Sequence, residues 1–277
     1  MVSMIDTMIV KSQIYMARIS TWKNKISLRL EFGPYLLKVA ETKSEVIQCF
    51  RLRHEIFCKE MAGRVTNSGL DFDEYDSSCD HLMIIHRSTN EVVGTYRMNY
   101  SGTAFKFYTH SEFEISQWLD DQNEPFIELG RACIHSEHRR GAVISLLWRG
   151  IVEYMKSFEA DKLIGCSSVK VTDSRSAALI FSYFQLTGAT NDEIFFPREK
   201  YHMKDYLFWM MVFSRGLSPN QMEEAEEKIP SLLKSYIKAG AKVCSYPALD
   251  MDFNCIDFMT VLKRSELDEK YAKKFNA

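Results

Sequence analysis

The stretch that most restricts the fold of this chain runs from Phe126 to Val169. Phe126–Ile134 reads as a strand and gives way to the polar turn His135-Ser-Glu-His-Arg-Arg-Gly141. From Ala142 the apolar residues Val143, Leu147, Ile151, Tyr154 and Phe158 recur every three or four positions, which places them on one face of a helix. Lys162–Val169 then reads as another strand. A strand, a glycine-ended turn, an amphipathic helix and a strand bury their apolar faces only in a layered structure. The expected class is therefore α/β (α+β), a central mixed, twisted sheet flanked by helices.

The flanks extend this order. Leu36–Ala40 reads as a strand after Pro34, and Ser44 is placed to cap a helix to about Glu60 in which Val46, Phe50 and Phe57 share a face. A polar, acid-rich loop follows, then strands at Leu82–His86 and Val92–Tyr100 around a turn at Asn90. Asp173 opens a helix bearing Ala177, Ile180, Phe181 and Phe184 that Gly188 ends. Later segments read as a strand at Leu207–Phe213, a charged helix between Pro219 and Lys228, a short helix from Pro230 to Ala239 and a strand at Cys255–Leu262. The expected division is a basic lead-in over 1–30, a core over 31–216, and a C-terminal extension over 217–277 that completes or covers it.

Composition narrows the function classes. With 277 residues, 46% of them hydrophobic and 26% charged, the chain can bury a real core and is not a disordered tract. Thirty-five basic against thirty-seven acidic residues leave a net charge of -2, which gives no case for a nucleic-acid partner. Seven scattered cysteines without CxxC spacing read as reduced thiols in a cytoplasmic protein. No apolar run has the length of a spanning helix. Residues 1–30 mix Lys11, Arg18, Lys23, Lys25 and Arg29 with Ile9, Ile14, Trp22 and Ile26. That pattern fits either a lead-in packed on the domain or a surface helix in peripheral contact with an anionic membrane on its cytoplasmic face.

The turn Arg139-Arg140-Gly141-Ala142-Val143 carries the first chemical expectation. Small residues at a helix start let backbone N–H groups approach a phosphate, and the helix dipole favours the negative charge. Here the chain resembles the GNAT acyltransferase superfamily, whose R/Q-x-x-G-x-G/A loop grips the pyrophosphate or phosphopantetheine of the acyl donor. Upstream, Arg53-His-Glu-Ile-Phe57, Asp73-Glu-Tyr-Asp76, Gly94-Thr-Tyr-Arg97 and Glu128-Leu-Gly-Arg131 resemble, in order, elements of acyl-homoserine-lactone synthases and long-chain N-acyl amino acid synthases. Glu128-Leu-Gly-Arg-Ala-Cys-Ile-His135, Leu146–Ile151 and Lys242–Asp250 resemble the hemolysin-like ornithine-lipid acyltransferases.

The resemblance implies transfer of a long, 3-hydroxylated acyl chain to the α-amine of ornithine, glycine or another amino acid. The donor it implies is the phosphopantetheine thioester of acyl carrier protein, with acyl-CoA as the alternative, and no permanently bound cofactor or metal. Glu128 is the expected proton acceptor or water-orienting carboxylate, and Tyr183 the donor to the leaving thiolate. Arg97 and Arg53 are expected to fix the acidic loop or bind the acceptor's carboxylate through their planar forks. Asp73 and Asp76 would hold those arginines or recognise the acceptor ammonium, with Arg131 and Phe57 also on the substrate side. Arg139, Arg140, Gly141, Ala142 and Val143 would hold the donor. Competing readings are acetyl-CoA-dependent N-acetyl transfer, homoserine-lactone synthesis, and a noncatalytic acyl-carrier or membrane-binding module.

Overall fold

The computed structural model describes residues 19–61, 68–139 and 141–275. Ile9, Lys11, Ile14 and Arg18 of the lead-in therefore lie outside the described residues, as does Arg140. The strands are β1 (Arg29–Phe32), β2 (Tyr35–Val39), β3 (Asp80–His86), β4 (Glu91–Tyr100), β5 (Phe126–Ile134), β6 (Lys162–Val169), β7 (Thr190–Phe195), β8 (Lys242–Ser245), β9 (Ala248–Asp250) and β10 (Cys255–Lys263). The helices begin with α1 (Lys43–Arg53), which continues into π-helical turns over His54–Met61. They go on as α2 (Tyr108–Glu112), α3 (Ser116–Asp120), α4 (Ala142–Ser157), α5 (Ser174–Leu186), α6 (Tyr206–Phe213), α7 (Pro219–Lys228), α8 (Ser231–Lys238) and α9 (Glu269–Phe275).

The chain packs as two compact units. One comprises residues up to Lys106 with Leu129–Glu159, the other Phe107–Glu128 with the residues from Ala160 on, so β5 begins in the second unit and ends in the first. The boundaries thus fall at 107, 129 and 160, where the sequence reading placed them at 31 and 217.

In the first unit β1 to β4 pair antiparallel in sequence order. The end of the strand segment carrying β5 joins β4 through the His135 N–H to the Val93 carbonyl (2.9 Å). Alternation along the strands decides which helix each residue meets. Leu36, Met83 and Ile85 bury against Val46, Cys49 and Phe50 of α1. Leu37, Leu82 and Ile84 point the other way, toward α4, with Leu37 and Leu82 crowding Gly150 of that helix. Helix α1 is capped by Thr42 rather than Ser44. Thr42 accepts from Glu45 N–H while the Glu45 carboxylate accepts from Thr42 N–H, and this reciprocal box fixes the start two residues earlier. Trp22 is buried, its indole N–H donating to the Cys79 carbonyl at 2.7 Å, so the described end of the lead-in packs on this unit.

Helix α4 can lie this close to the sheet because β4 carries Gly94. A Cβ there would sit 2.8 Å from Val143 Cγ1, and Val143 is only 1% exposed, without room to retreat. Gly94→Ala is expected to lose about 1–3 kcal/mol of stability through this overpacking, measured by denaturant unfolding. A loss below the error of that measurement would show that α4 can slide.

The second unit builds its sheet from the start of β5 parallel to β6, β6 antiparallel to β10, β10 antiparallel to β8, and β8 parallel to β7, with β9 also on β10. Ala177, Ile180, Phe181 and Phe184 of α5 pack with Ile256 and Phe258 of β10. Residues 217–277 thus enter the sheet of this unit instead of only covering it.

Leu207–Phe213, expected as a strand, is within helix α6. Tyr206, Trp209, Met210 and Phe213, spaced three, one and three apart, face the core. Leu207, Phe208, Met211 and Val212 are exposed. The outward positions are apolar too, which hides the helical period in a continuous hydrophobic run. Among the described residues no helix is long and apolar enough to cross a membrane. All seven cysteines are free, six of them buried, where they act as small core hydrophobes.

Candidate active site

The first unit gathers five of the expected site residues into one buried charge network. Arg53, 1% exposed, forks onto Asp76 with Nη1 and Nη2 at 2.6 and 3.1 Å and reaches Asp71 with Nε at 2.8 Å. Arg97 Nη1 donates to both Asp73 oxygens at 2.7 Å and lies 3.4 Å from Asp76. Arg131 Nη2 donates to Asp73 at 3.0 Å. Three guanidiniums thus face Asp71, Asp73 and Asp76, and the charges balance. Burial works against their ionisation, but Arg53 and Arg131 hold the Asp71 carboxyl below the usual range, and Arg97 with Arg131 does the same for Asp73. Of the two roles expected for Arg53 and Arg97, the geometry supplies the anchoring of the acidic loop.

Arg131 reaches this network because β5 bends. Its φ of +53° is left-handed, a conformation uncommon outside glycine, and it breaks the alternation that would set Arg131 on the face opposite Glu128. Phe50 and Tyr75 rings lie against the Arg53 and Arg97 guanidiniums at 5.0 and 5.5 Å. Phe57 is half-buried against the same apolar cluster as Phe50, so it serves the packing of the first unit.

His81 lies beneath the network, fully buried, with Nε2–H donating to the Asp76 carbonyl at 3.2 Å. Burial pushes its pKa down to about 4. An unfolded histidine titrates near 6.5, so between these values the unfolded chain binds the proton first. Stability is then complete above about pH 6.5 and falls by up to about 3 kcal/mol as the pH drops toward 4. The depressed Asp71 and Asp73 carboxyls add losses only at lower pH, on passing below about 4. Unfolding curves from pH 7 to 4 should show this slope, and His81→Leu should flatten it; an unaltered slope would assign it to other groups.

The turn expected to hold the donor lies at the start of α4. Gly141 is the N-cap with φ +108°, no side chain caps the helix, and a Cβ at Gly141 would meet open space. Ala142 and Val143 are its first two residues, so their N–H groups belong to the turn that a helix cannot satisfy from within. Arg139 is engaged locally. Both terminal nitrogens meet Glu60 at 2.6 Å, and Nε donates to the Ile134 carbonyl. That ion pair is about two-fifths exposed, the kind that adds little stability and can be exchanged for another anion.

In the second unit Glu128 is 3% exposed and works at the N-terminus of α2. Its oxygens accept from Tyr108 N–H at 3.0 Å and Thr109 N–H at 2.7 Å. A carboxylate offers about four lone-pair sites, so these bonds orient the group without exhausting it. Tyr183 is half-buried on α5 beside Phe184, and burial with the nearby Glu226 carboxylate raises its pKa. Sequence reasoning missed one feature of this unit, the buried carboxylates Glu112, Asp250 and Asp257. The available signal was Asp257 itself, an acid inside the otherwise apolar strand Cys-Ile-Asp-Phe-Met.

Residues 52–149 match the family model of the acetyltransferase (GNAT) domain, and the strands form mixed sheets flanked by helices. More narrowly, the chain resembles L-ornithine N(alpha)-acyltransferases. It is 29% identical to the one from Agrobacterium fabrum over 255 residues, 86% of this chain and 84% of that one. It is 27% identical to that of Rhizobium meliloti over 87% of this chain and 83% of the relative. Among solved structures it is similar to FeeM, an N-acyl amino acid synthase from uncultured soil microbes, with 10% identity, a TM-score of 0.47 and coverage of 87% and 93% of the two chains.

Proposed function

We propose that the protein is an N-acyltransferase that moves an acyl chain from a thioester to the α-amine of an amino acid, with ornithine as the leading acceptor. The observation that carries this reading is the near full-length similarity to L-ornithine N(alpha)-acyltransferases, which spans both units. The donor we assign is acyl carrier protein bearing a long 3-hydroxyacyl chain, its phosphopantetheine phosphate on the amide groups at Gly141–Val143 with Arg139 released from Glu60. In the reaction the neutral amine nitrogen attacks the thioester carbonyl carbon. The C–N bond forms, the C–S bond breaks, the amine proton leaves to Glu128 directly or through water, and the thiolate takes a proton, for which Tyr183 is the assigned donor. The exposed apolar side of α6 is the surface we assign to peripheral membrane contact, which the acidic substitutions Leu207→Glu and Met211→Glu should weaken in vesicle flotation.

The test is a matrix of acyl carrier protein and CoA thioesters of different lengths against amino acids, read by mass spectrometry. N-acylornithine from the long-chain carrier-protein donor is the expected product. Absence of amide from every donor, with folded protein, would oppose the assignment.

A further inference from the structure

The sheet register of the second unit places an unusual set of side chains on one face. Glu128 pairs with Ile164, Asp257 with Ser168, and Asp250 with Cys255, two residues before Asp257. By strand alternation Glu128, Cys166, Ser168, Asp257 and Asp250 therefore share a side of the sheet. The five-residue helix α2 lies over it, with Glu128 holding its first N–H groups and Glu112 at its last position. Glu112, Asp250 and Asp257 are 0%, 4% and 3% exposed, and one oxygen from each lies within 4.8 Å of the other two. Asp250 Oδ1 accepts from Asp252 and Phe253 N–H, the Tyr108 hydroxyl reaches Asp250 Oδ2 at 3.5 Å, and Ser168 donates to Asp257.

Glu112 is different. Both its oxygens are buried without a well-aligned hydrogen bond, although the Tyr108 hydroxyl and the Cys166 thiol lie beside it. Burial and the Asp257 carboxylate push its pKa well above the ordinary range, so the cluster as it stands is starved of positive charge. A buried carboxylate served only by such poorly aligned donors is strongly unfavourable unless something else supplies better ones.

We infer that Glu112, Asp250 and Asp257 receive the side-chain ammonium of a diamino-acid acceptor. An ammonium has three donors, one for each carboxylate, whereas calcium or magnesium takes six or more oxygens and the cluster offers few beyond these three residues. With N···O contacts near 2.8 Å, three acceptors around an ammonium stand roughly 4.6 Å apart, which separations of no more than 4.8 Å can accommodate. Helix α2 sets the second distance. Glu112 lies four residues beyond Tyr108, whose N–H meets Glu128, and four residues of helix rise about 6 Å. That is close to the reach between the two nitrogens of ornithine, so an acceptor held by its far end would bring its α-amine toward Glu128. The inference rests on the acyl-transfer reading and adds the reason for an acceptor with a second amine.

The experiment compares ornithine with norvaline, which has the same carbon chain and no second amine, using the full chain and one competent thioester donor. The wild-type kcat/KM ratio is expected to favour ornithine by at least about 100-fold, since a site built for a charged group rejects an analogue lacking it. Glu112→Gln should lower that ratio at least about tenfold, mainly through KM for ornithine, and Asp250→Asn, should Glu112→Gln fail to fold, must do the same. Calorimetric binding of ornithine without donor gives a readout independent of turnover. Equal use of both amino acids would overturn the inference while leaving acyl transfer intact, whereas no acylation of either would count against the proposed function. Stabilisation by magnesium or calcium that Glu112→Gln abolishes would reassign the cluster to a metal ion. Ornithine binding unaffected by the substitutions would leave Glu112 with a shared proton only.

Discussion

Arg53→Met is expected to lower unfolding free energy by about 3–5 kcal/mol, because it leaves Asp76, fully buried, with its bidentate partner gone. Arg97 approaches Asp76 only at 3.4 Å and is itself committed to Asp73, so it cannot take over. The loss should include a local component. The Asp73 N–H donates to Asp76 at 2.7 Å, so the acidic loop is tied to α1 through the same carboxylate. Amide exchange would then accelerate at residues 71–79 before it does on β3. Arg53→Lys should recover little, since an ammonium cannot span both Asp76 oxygens and Asp71 at once. The double variant Arg53→Met with Asp76→Leu should regain much of the stability by removing both charges. A loss under about 1 kcal/mol for Arg53→Met would mean that the network is solvated in solution.

The second large effect concerns Glu128. Glu128→Gln is expected to reduce amide formation by about 10²–10⁴-fold if the carboxylate accepts the amine proton, directly or through water. The structure adds a complication to that substitution. Both Glu128 oxygens receive backbone N–H groups of α2, and glutamine has only one oxygen, so its amide N–H₂ would confront Tyr108 or Thr109. A stability loss of about 1–3 kcal/mol should accompany the kinetic defect. Thr109→Pro is not a usable control, but Glu128→Asp is. It keeps two oxygens and the charge while withdrawing them from α2. A base acting through water should survive this change better than a cap does, giving partial activity with lowered melting temperature. Full turnover by Glu128→Gln across a range of pH would remove Glu128 from the chemistry.

How much of this was readable beforehand follows from where each signal lives. Phe126–Ile134, Lys162–Val169 and Pro219–Lys228 match the observed elements because period, capping and length agree within each segment. Asp73 and Asp76 could be named as partners of Arg53 and Arg97 because the acidic loop lies near both in sequence, whereas Asp71 was not named. Strands β7, β8 and β9 are short, and two of them owe their pairing to β10, so local pattern carries little trace of them. Glu112 and Asp257 are 145 positions apart in the chain (257 minus 112), and only the sheet register brings them to one face. A bend between Glu128 and Arg131 could be named as a possibility but not required, since nothing in Glu-Leu-Gly-Arg demands a left-handed arginine where glycine stands next to it.

The position of β10 has a consequence for how the protein is made. It pairs with β6 from Ile256 opposite Val169 to Lys263 opposite Lys162, and its other edge receives β8 and β9. On the ribosome β6 emerges roughly ninety residues before the strand that will cover its edge, several seconds at ordinary rates of synthesis. The first unit, which draws on nothing later than Glu159, can close in that interval. The nascent second unit must wait with a strand edge unprotected, which makes it the part of the polypeptide for which a chaperone, or a stalled message, decides between a folded protein and an aggregate.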